Sequence, residues 1–200
     1  MHSVQPHEPH RRRDVTIIIL AGGRATRFAG KLETEIGGEP MLARVYRHFR
    51  DIGPTLIAGR DTFSQHLDAM LDCPIVIDRW PDRGPLGGLL SAALETNAER
   101  VFAVAGDAPL VSPGVLDALL DRWQDGDEAA VPEHDGRLEP LAGLYDRIAL
   151  TREAWECLRG AHPSMHALLS RLKMRRVLLP AVYFTNVNTA EDLTQIPGVS

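Results

Sequence analysis

The chain has 200 residues, a formal net charge of −5 and 44% hydrophobic residues. That length suits one domain with a substantial core, and the acidic balance argues against a protein that coats nucleic acid. Cys73 and Cys157 are too few for a disulfide framework, and no apolar run nears the roughly 18 residues of a membrane span; with no signal-peptide pattern, the expectation is a cytoplasmic protein.

Residues 1–13 combine His2, His7 and His10 with Arg11, Arg12 and Arg13, and read as a disordered polar tail with no assigned function. Residues 14–200 form the expected domain. Val15 to Ala21 is a short apolar run rich in β-branched residues, which predicts a fully buried strand of a parallel sheet. It leads into Gly22-Gly23 and a loop carrying Arg24, Arg27 and Lys31. Glycines let backbone approach a ligand closely, and clustered cations suit phosphate oxygens. This points to a nucleotide site at the carboxyl end of a strand, where open α/β sheets bind ligands. An ordinary tight turn with solvated arginines is the alternative. Lys31 is followed by Leu32, so the P-loop pattern is absent, and so is G-x-G-x-x-G.

Pro40 suits the first turn of a helix whose Met41, Leu42, Val45 and Phe49 share one face, and Gly53-Pro54 stops it. Thr55–Ala58 reads as a strand, and Asp61 as the cap of a helix with Phe63, Leu67 and Met70. Ile75–Ile77 is expected as a buried strand ending at Asp78. After the loop around Gly84-Pro85-Leu86, a helix runs through Leu89, Leu90, Ala93 and Leu94. Val101–Ala105 predicts a third buried strand ending in Gly106-Asp107, and Ser112-Pro113 starts another helix. This alternation predicts an α/β fold: a single-domain, doubly wound, mainly parallel sheet with helices on both faces.

The pattern loosens after residue 128. Ala129–Pro132 and Pro140–Tyr145 read as strands joined by a polar loop, followed by helices near Arg147–Leu158 and Met165–Leu172. Val177–Leu179 and Val182–Phe184 read as closing strands before Asn186-Val-Asn188-Thr189. This half is expected to extend the sheet and wall off a second substrate. His134 and the other histidines lack partner spacing and read as surface or satisfied core residues.

Asp107 at a strand end is placed either to bind magnesium, which often takes one or two carboxylates plus phosphate oxygens, or to close an Asx turn. Asp78 ends a neighbouring strand in the same way. A parallel sheet brings both acids to the edge that carries Gly22-Gly23.

Leu20-Ala21-Gly22-Gly23 with Arg27-Phe28 and Lys31 resembles the signature loop of doubly wound nucleotidyltransferases. With Gly84-Pro85-Leu86, Gly106-Asp107-Ala108-Pro109, Glu139-Pro140-Leu141 and Asn186-Val-Asn188-Thr189, the chain is similar to the molybdenum cofactor guanylyltransferase (MobA) family over roughly residues 15–193. The resemblance implies a Rossmann-like fold and transfer of GMP from GTP to molybdenum-bearing molybdopterin, with pyrophosphate released. It implies that Leu20, Ala21, Gly22 and Gly23 line the GTP site, that Arg27 and Lys31 hold phosphates, and that Asp78 contacts guanosine. It further implies Mg²⁺ on Asp107, and Asn186 and Asn188 towards the pterin. Molybdoenzymes or other cofactor-biosynthesis proteins are the implied macromolecular partners, beside the expectation from charge and apolar patterning of no nucleic acid and no membrane. The stretch before Lys31 is one residue shorter than the family's usual R-M-G-x-D-K and lacks its acid, and Ile57 falls where some relatives have asparagine. Two alternatives stand beside this one. One is a related transferase with another nucleotide or acceptor, such as the cytidylyl enzyme of the same pathway, against which the second glycine of L-A-G-G counts. The other is a non-catalytic nucleotide-binding regulator.

Overall fold

A computed structural model describes residues 12, 14–22, 32–59 and 63–184. Strand β1 (Val15–Leu20) is followed by a small hairpin, β2 (Glu35–Ile36) and β3 (Glu39–Pro40), and by α1 (Met41–Phe49). Then come β4 (Thr55–Gly59), α2 (Gln65–Asp68), β5 (Ile75–Ile77), α3 (Pro85–Ala93), β6 (Arg100–Ala105) and α4 (Pro113–Arg122). The second half holds β7 (Ala129–His134), β8 (Arg137–Leu138), β9 (Leu144–Asp146), α5 (Arg147–Arg159), α6 (Met165–Leu169) and β10 (Met174–Leu178). Short 3-10 turns lie at Pro81–Arg83, Pro140–Ala142 and Ala181–Phe184.

The main sheet runs β10-β7-β9-β6-β1-β4-β5, with β8 paired to β7. β1 is parallel to both β4 and β6, β4 to β5, and β7 to β10. β9 lies antiparallel between β6 and β7. The sheet is therefore mainly parallel, as the alternation of elements predicts. All of β1 is buried, so its alternating side chains feed two cores. Ile17 and Ile19 pack with Phe49 of α1 and Leu116 and Leu119 of α4. Ile18 and Leu20 pack with Leu86, Leu89 and Leu90 of α3 and with Leu150 of α5. Helices thus cover both faces. Thr16, buried on β1, is satisfied by a 2.7 Å hydroxyl–hydroxyl bond to Thr96. Among the described residues, no helix is long and apolar enough to cross a membrane.

Several elements differ from expectation. β5 is an edge strand, so Ile77 is 59% exposed rather than buried. The cap of α2 is Ser64, whose Oγ accepts the Leu67 N–H at 3.3 Å; Asp61 lies outside the described residues. Pro40 precedes α1 from β3, a strand that forms because Gly37 and Gly38 both take positive φ in the turn before it. The expected strand Pro140–Tyr145 is a 3-10 turn followed by β9, and Val182–Phe184 forms a turn rather than a strand. Pro140 at the start of the first segment and Pro180 ahead of the second cannot donate to a ladder, and the helical turn needs no such donor. The polar stretch after β7 is a tight hairpin. His134 faces Arg137 across Asp135 (φ 47°) and Gly136 (φ 74°), the left-handed pair that a two-residue turn demands.

Tyr145 ties the two halves together. It is fully buried on β9, faces Val101 of β6 and Ala129 of β7, and donates its hydroxyl to the Pro140 carbonyl at 2.6 Å. Burial holds this phenol well above its ordinary range. Tyr145→Phe is expected to lower unfolding stability by roughly 1–3 kcal/mol, the cost of an unpaired buried carbonyl. Denaturant unfolding of both proteins measures it; equal midpoints with equal slopes would contradict the assignment.

Candidate active site

The sheet reverses direction of winding at β1. From there the chain proceeds to β4 and β5 on one side and returns to β6 on the other, which creates a crevice outside the strands' carboxyl ends. Register sets its geometry. Leu20 faces Ala58 on β4 and Ala105 on β6, so all three strands end at one level. The Ala21 N–H donates to the Ala58 carbonyl at 2.7 Å, and the Gly106 N–H to the Leu20 carbonyl at 2.9 Å. Close packing explains the small residues here. A Cβ on Gly22 would stand 3.3 Å from the Gly59 Cα, and one on Gly106 would stand 3.0 Å from Leu42 Cδ1.

Leu20, Ala21, Gly22 and Asp107 therefore meet at one crevice, with Asp107 two residues beyond the end of β6 and partly exposed. Asp78 reaches the same sheet edge two strands away, its N–H bonded to the Gly59 carbonyl at 3.1 Å. Its carboxylate turns beneath the start of α3. Oδ1 accepts the Trp80 N–H at 2.8 Å and would lie 3.0 Å from a Cβ placed on Gly87. Burial raises the Asp78 pKa above its ordinary 3.8, while the Trp80 bond and the Ser91 hydroxyl pull it down. Gly23, Arg24, Arg27, Lys31, Asn186 and Asn188 lie outside the described residues. Ile57 is not at the site: it is fully buried within β4, and the strand leaves the sheet at Gly59.

On the other side of Asp107 lies a cavity of about 320 Å³, within the range of small-molecule sites. Asp107, Glu139, Leu141, His166, Tyr183 and Phe184 line it. Glu139-Pro140-Leu141 has no role assigned from sequence, and His134 is expected there as a surface or satisfied core residue. That histidine is neither a surface group nor a satisfied core group. Its side chain is 13% exposed, Nε2 lies 2.9 Å from Glu139 Oε1, and the ring stacks on Phe184 at 5.1 Å. Nδ1 is buried without a hydrogen-bond partner. The Asp135-Gly136 dipeptide was the available signal, since a hairpin there returns the chain from His134 towards Glu139.

The sequence profile of the MobA-like NTP transferase domain matches residues 17–177. The chain belongs to this family. A relative from Haloferax mediterranei, named "Probable molybdenum cofactor guanylyltransferase", is 33% identical, covering 88% of this chain and 90% of its own. A Desulfosudis oleivorans relative, named "Molybdenum cofactor guanylyltransferase", is 26% identical, covering 90% of this chain and 92% of its own. The crystal structure of molybdopterin-guanine dinucleotide biosynthesis protein A from Archaeoglobus fulgidus shares the fold, with a TM-score of 0.73 at 23% identity over 90% of this chain and 96% of that one. The matched profile spans β1 through β10 almost entirely, so the crevice and all of the named cavity lining except Tyr183 and Phe184 fall within the MobA-like domain.

A raised acid pKa adds stability in full below the unfolded value and loses it as pH rises through the folded one. Wild type is therefore expected to melt below Asp78→Asn near neutral pH. That gap should close on acidification and vanish below about pH 3.8. Thermal melts of the pair across pH 3–7 test this, and a gap that widened on acidification would contradict it.

Proposed function

We propose that this chain transfers GMP from GTP to the molybdenum-molybdopterin cofactor, forming molybdopterin guanine dinucleotide and pyrophosphate. Its membership of the nucleotidyltransferase family and the names of its relatives support that reading. One structural observation carries it furthest: Asp107 follows the end of β6, which is level with the Leu20 end of β1, and also lines a cavity, an arrangement that suits a two-substrate transfer. In the proposal, the backbone of Leu20, Ala21, Gly22 and Gly23 lines the GTP site, Asp78 meets the nucleoside, and Arg27 and Lys31 hold phosphates. Asn186 and Asn188 lie towards the pterin. The reaction belongs in the cytoplasm, and its product goes on to molybdoenzymes or other cofactor-biosynthesis proteins.

Asp107 fits a magnesium ion of the kind completed by substrate phosphates and water. Among the described residues, no group of three or more acids, histidines or cysteines converges into a site made wholly from protein. When bound, such an ion neutralises charge on the phosphate oxygens. The chain's own residues then align the reactants. An oxygen of the acceptor's terminal phosphate forms the new bond to the α-phosphorus of GTP as the bond to the β-phosphate oxygen breaks. That phosphate is already ionised at neutral pH, so positioning and electrostatics suffice without a side-chain base.

Incubation with each NTP, magnesium and the molybdenum-molybdopterin cofactor, followed by pyrophosphate and product analysis, is expected to show a clear preference for GTP. Equal use of CTP would replace this reading with the cytidylyl one, and release from no NTP would favour a nucleotide-binding regulator.

Asp107→Asn should keep the fold and lower turnover by roughly 10²-fold or more, the scale of losing one electrostatic stabiliser. Near-wild-type rates at limiting magnesium would remove Asp107 from that role.

A further inference from the structure

We propose that the cavity beside Asp107 takes the fused heterocycle of the acceptor, with Glu139 as its specificity-determining carboxylate and His134 as the residue that positions Glu139. This rests on the guanylyltransferase reading above. The backbone of Glu139 is fixed. Its N–H donates to the Pro132 carbonyl at 2.9 Å, its carbonyl accepts the Ala142 N–H at 3.0 Å, and the next carbonyl takes the buried Tyr145 hydroxyl. The side chain is also tied, since Oε1 lies 2.9 Å from His134 Nε2. An ionised carboxylate can only accept, so Nε2 carries the hydrogen in this pair. The hairpin turn places His134, and stacking on Phe184 at an interplanar angle of 13° holds its ring.

The arrangement is costly as pure packing. Nδ1 of the mostly buried ring makes no hydrogen bond and meets only the exposed Asp135 carboxylate, 3.6 Å away, and an apolar side chain of similar shape would avoid that imperfect pairing. What the ring achieves is to hold a cavity-lining carboxylate in one orientation before any ligand arrives. One hydrogen bond leaves a carboxylate with further acceptor positions out of about four. A flat heterocycle with a 2-amino-4-oxo edge offers two adjacent N–H donors, the pattern that a carboxylate accepts in pairs. Tyr183 and Phe184 supply an aromatic wall against which such a ring can lie.

Guanine carries the same edge, so position in the sheet must separate the two ligands. The cavity's Leu138–Ala142 wall joins β8 to β9, on the β9–β7–β10 side of β6. Asp78 and Leu20–Gly22 lie at the ends of β5 and β1, on the opposite side. The nucleoside belongs with the latter group and the acceptor ring with Glu139.

The test uses the full chain and two fluorescent probes: pterin, with the 2-amino-4-oxo edge, and lumazine, its 2,4-dioxo counterpart. Wild type should bind pterin roughly tenfold or more tightly than lumazine, because lumazine keeps the ring N–H but sets a carbonyl where pterin has its 2-amino donor, so one of the two paired bonds is replaced by an acceptor facing an acceptor. Glu139→Gln should reduce that ratio to near one while lumazine and GTP affinities stay within about twofold, which also checks folding. His134→Leu should lower the ratio and His134→Gln, which keeps an N–H donor, should restore it. A purely structural role would not move a ratio. Equal binding of pterin and lumazine by wild type would overturn the proposal, and so would a parallel loss of GTP affinity in Glu139→Gln. Pyrophosphate release separates the two readings. If wild type discriminates the pterins yet releases none from GTP and the molybdenum cofactor, the transferase reading fails alone. If release is normal and Glu139→Gln leaves the cofactor KM unchanged, only the role of Glu139 fails.

Discussion

Parallel pairing of β1 on both of its edges is the constraint on which the remaining structure depends. A strand in the middle of a sheet must satisfy its backbone from two neighbours, and a strand covered on both faces must be apolar throughout. Val15–Leu20 meets both demands, with Thr16 answered by Thr96 as the one polar exception along its length. Register then follows. Because Leu20 is level with Ala58 and Ala105, the chain leaves three neighbouring strands at the same height. The crevice is where those three exits diverge.

Chain connection decides which side of that crevice does what. The first half winds outward through β4 and β5, then returns over α3 to β6. That route brings Asp78 to the sheet edge, but under a helix start, where burial disfavours its charge. A neutral side chain would be less costly there, so a carboxylate at this position fits a polar group kept for a ligand rather than for stability. The second half adds β9 in the opposite direction, and the 3-10 turn that precedes it forms the floor of the cavity. Asp107 belongs to both spaces.

Rigidity around the cavity comes from hydrogen bonds with few alternatives. Tyr145 reaches from β9 to the Pro140 carbonyl, the hairpin at Asp135-Gly136 leaves its strands one register, and Pro140 limits the backbone beside Glu139. Surface ion pairs add little to this. Arg175 grips Asp127 and Arg152 bridges Glu128 and Glu153, but these pairs lie at the periphery with their arginines reaching solvent, where screening reduces each pair's contribution.

Much of the first half could be read from the residues in order. Buried parallel strands announce themselves as β-branched apolar runs, helix starts as Ser-Pro, and strand ends as glycine followed by an acid, all of them local signals. Those signals sufficed for the mainly parallel sheet, for β1, β4 and β6, and for the meeting of Leu20–Gly22 with Asp107. They did not reveal that β5 lies at an edge, since burial depends on which neighbours a strand acquires. They also misread Pro140–Tyr145 and Val182–Phe184, where apolar content suits a turn against the core as well as a strand. His134 and Glu139 are the clearest case. Five residues apart and unremarkable in sequence, they become partners only through a hairpin, a 3-10 turn and the ring of Phe184. Sequence by itself determined the periodicity and chemistry of each segment, because those depend on near neighbours along the chain. Tertiary structure alone decided which polar groups share a low-dielectric space, because that depends on contacts between residues the chain keeps far apart.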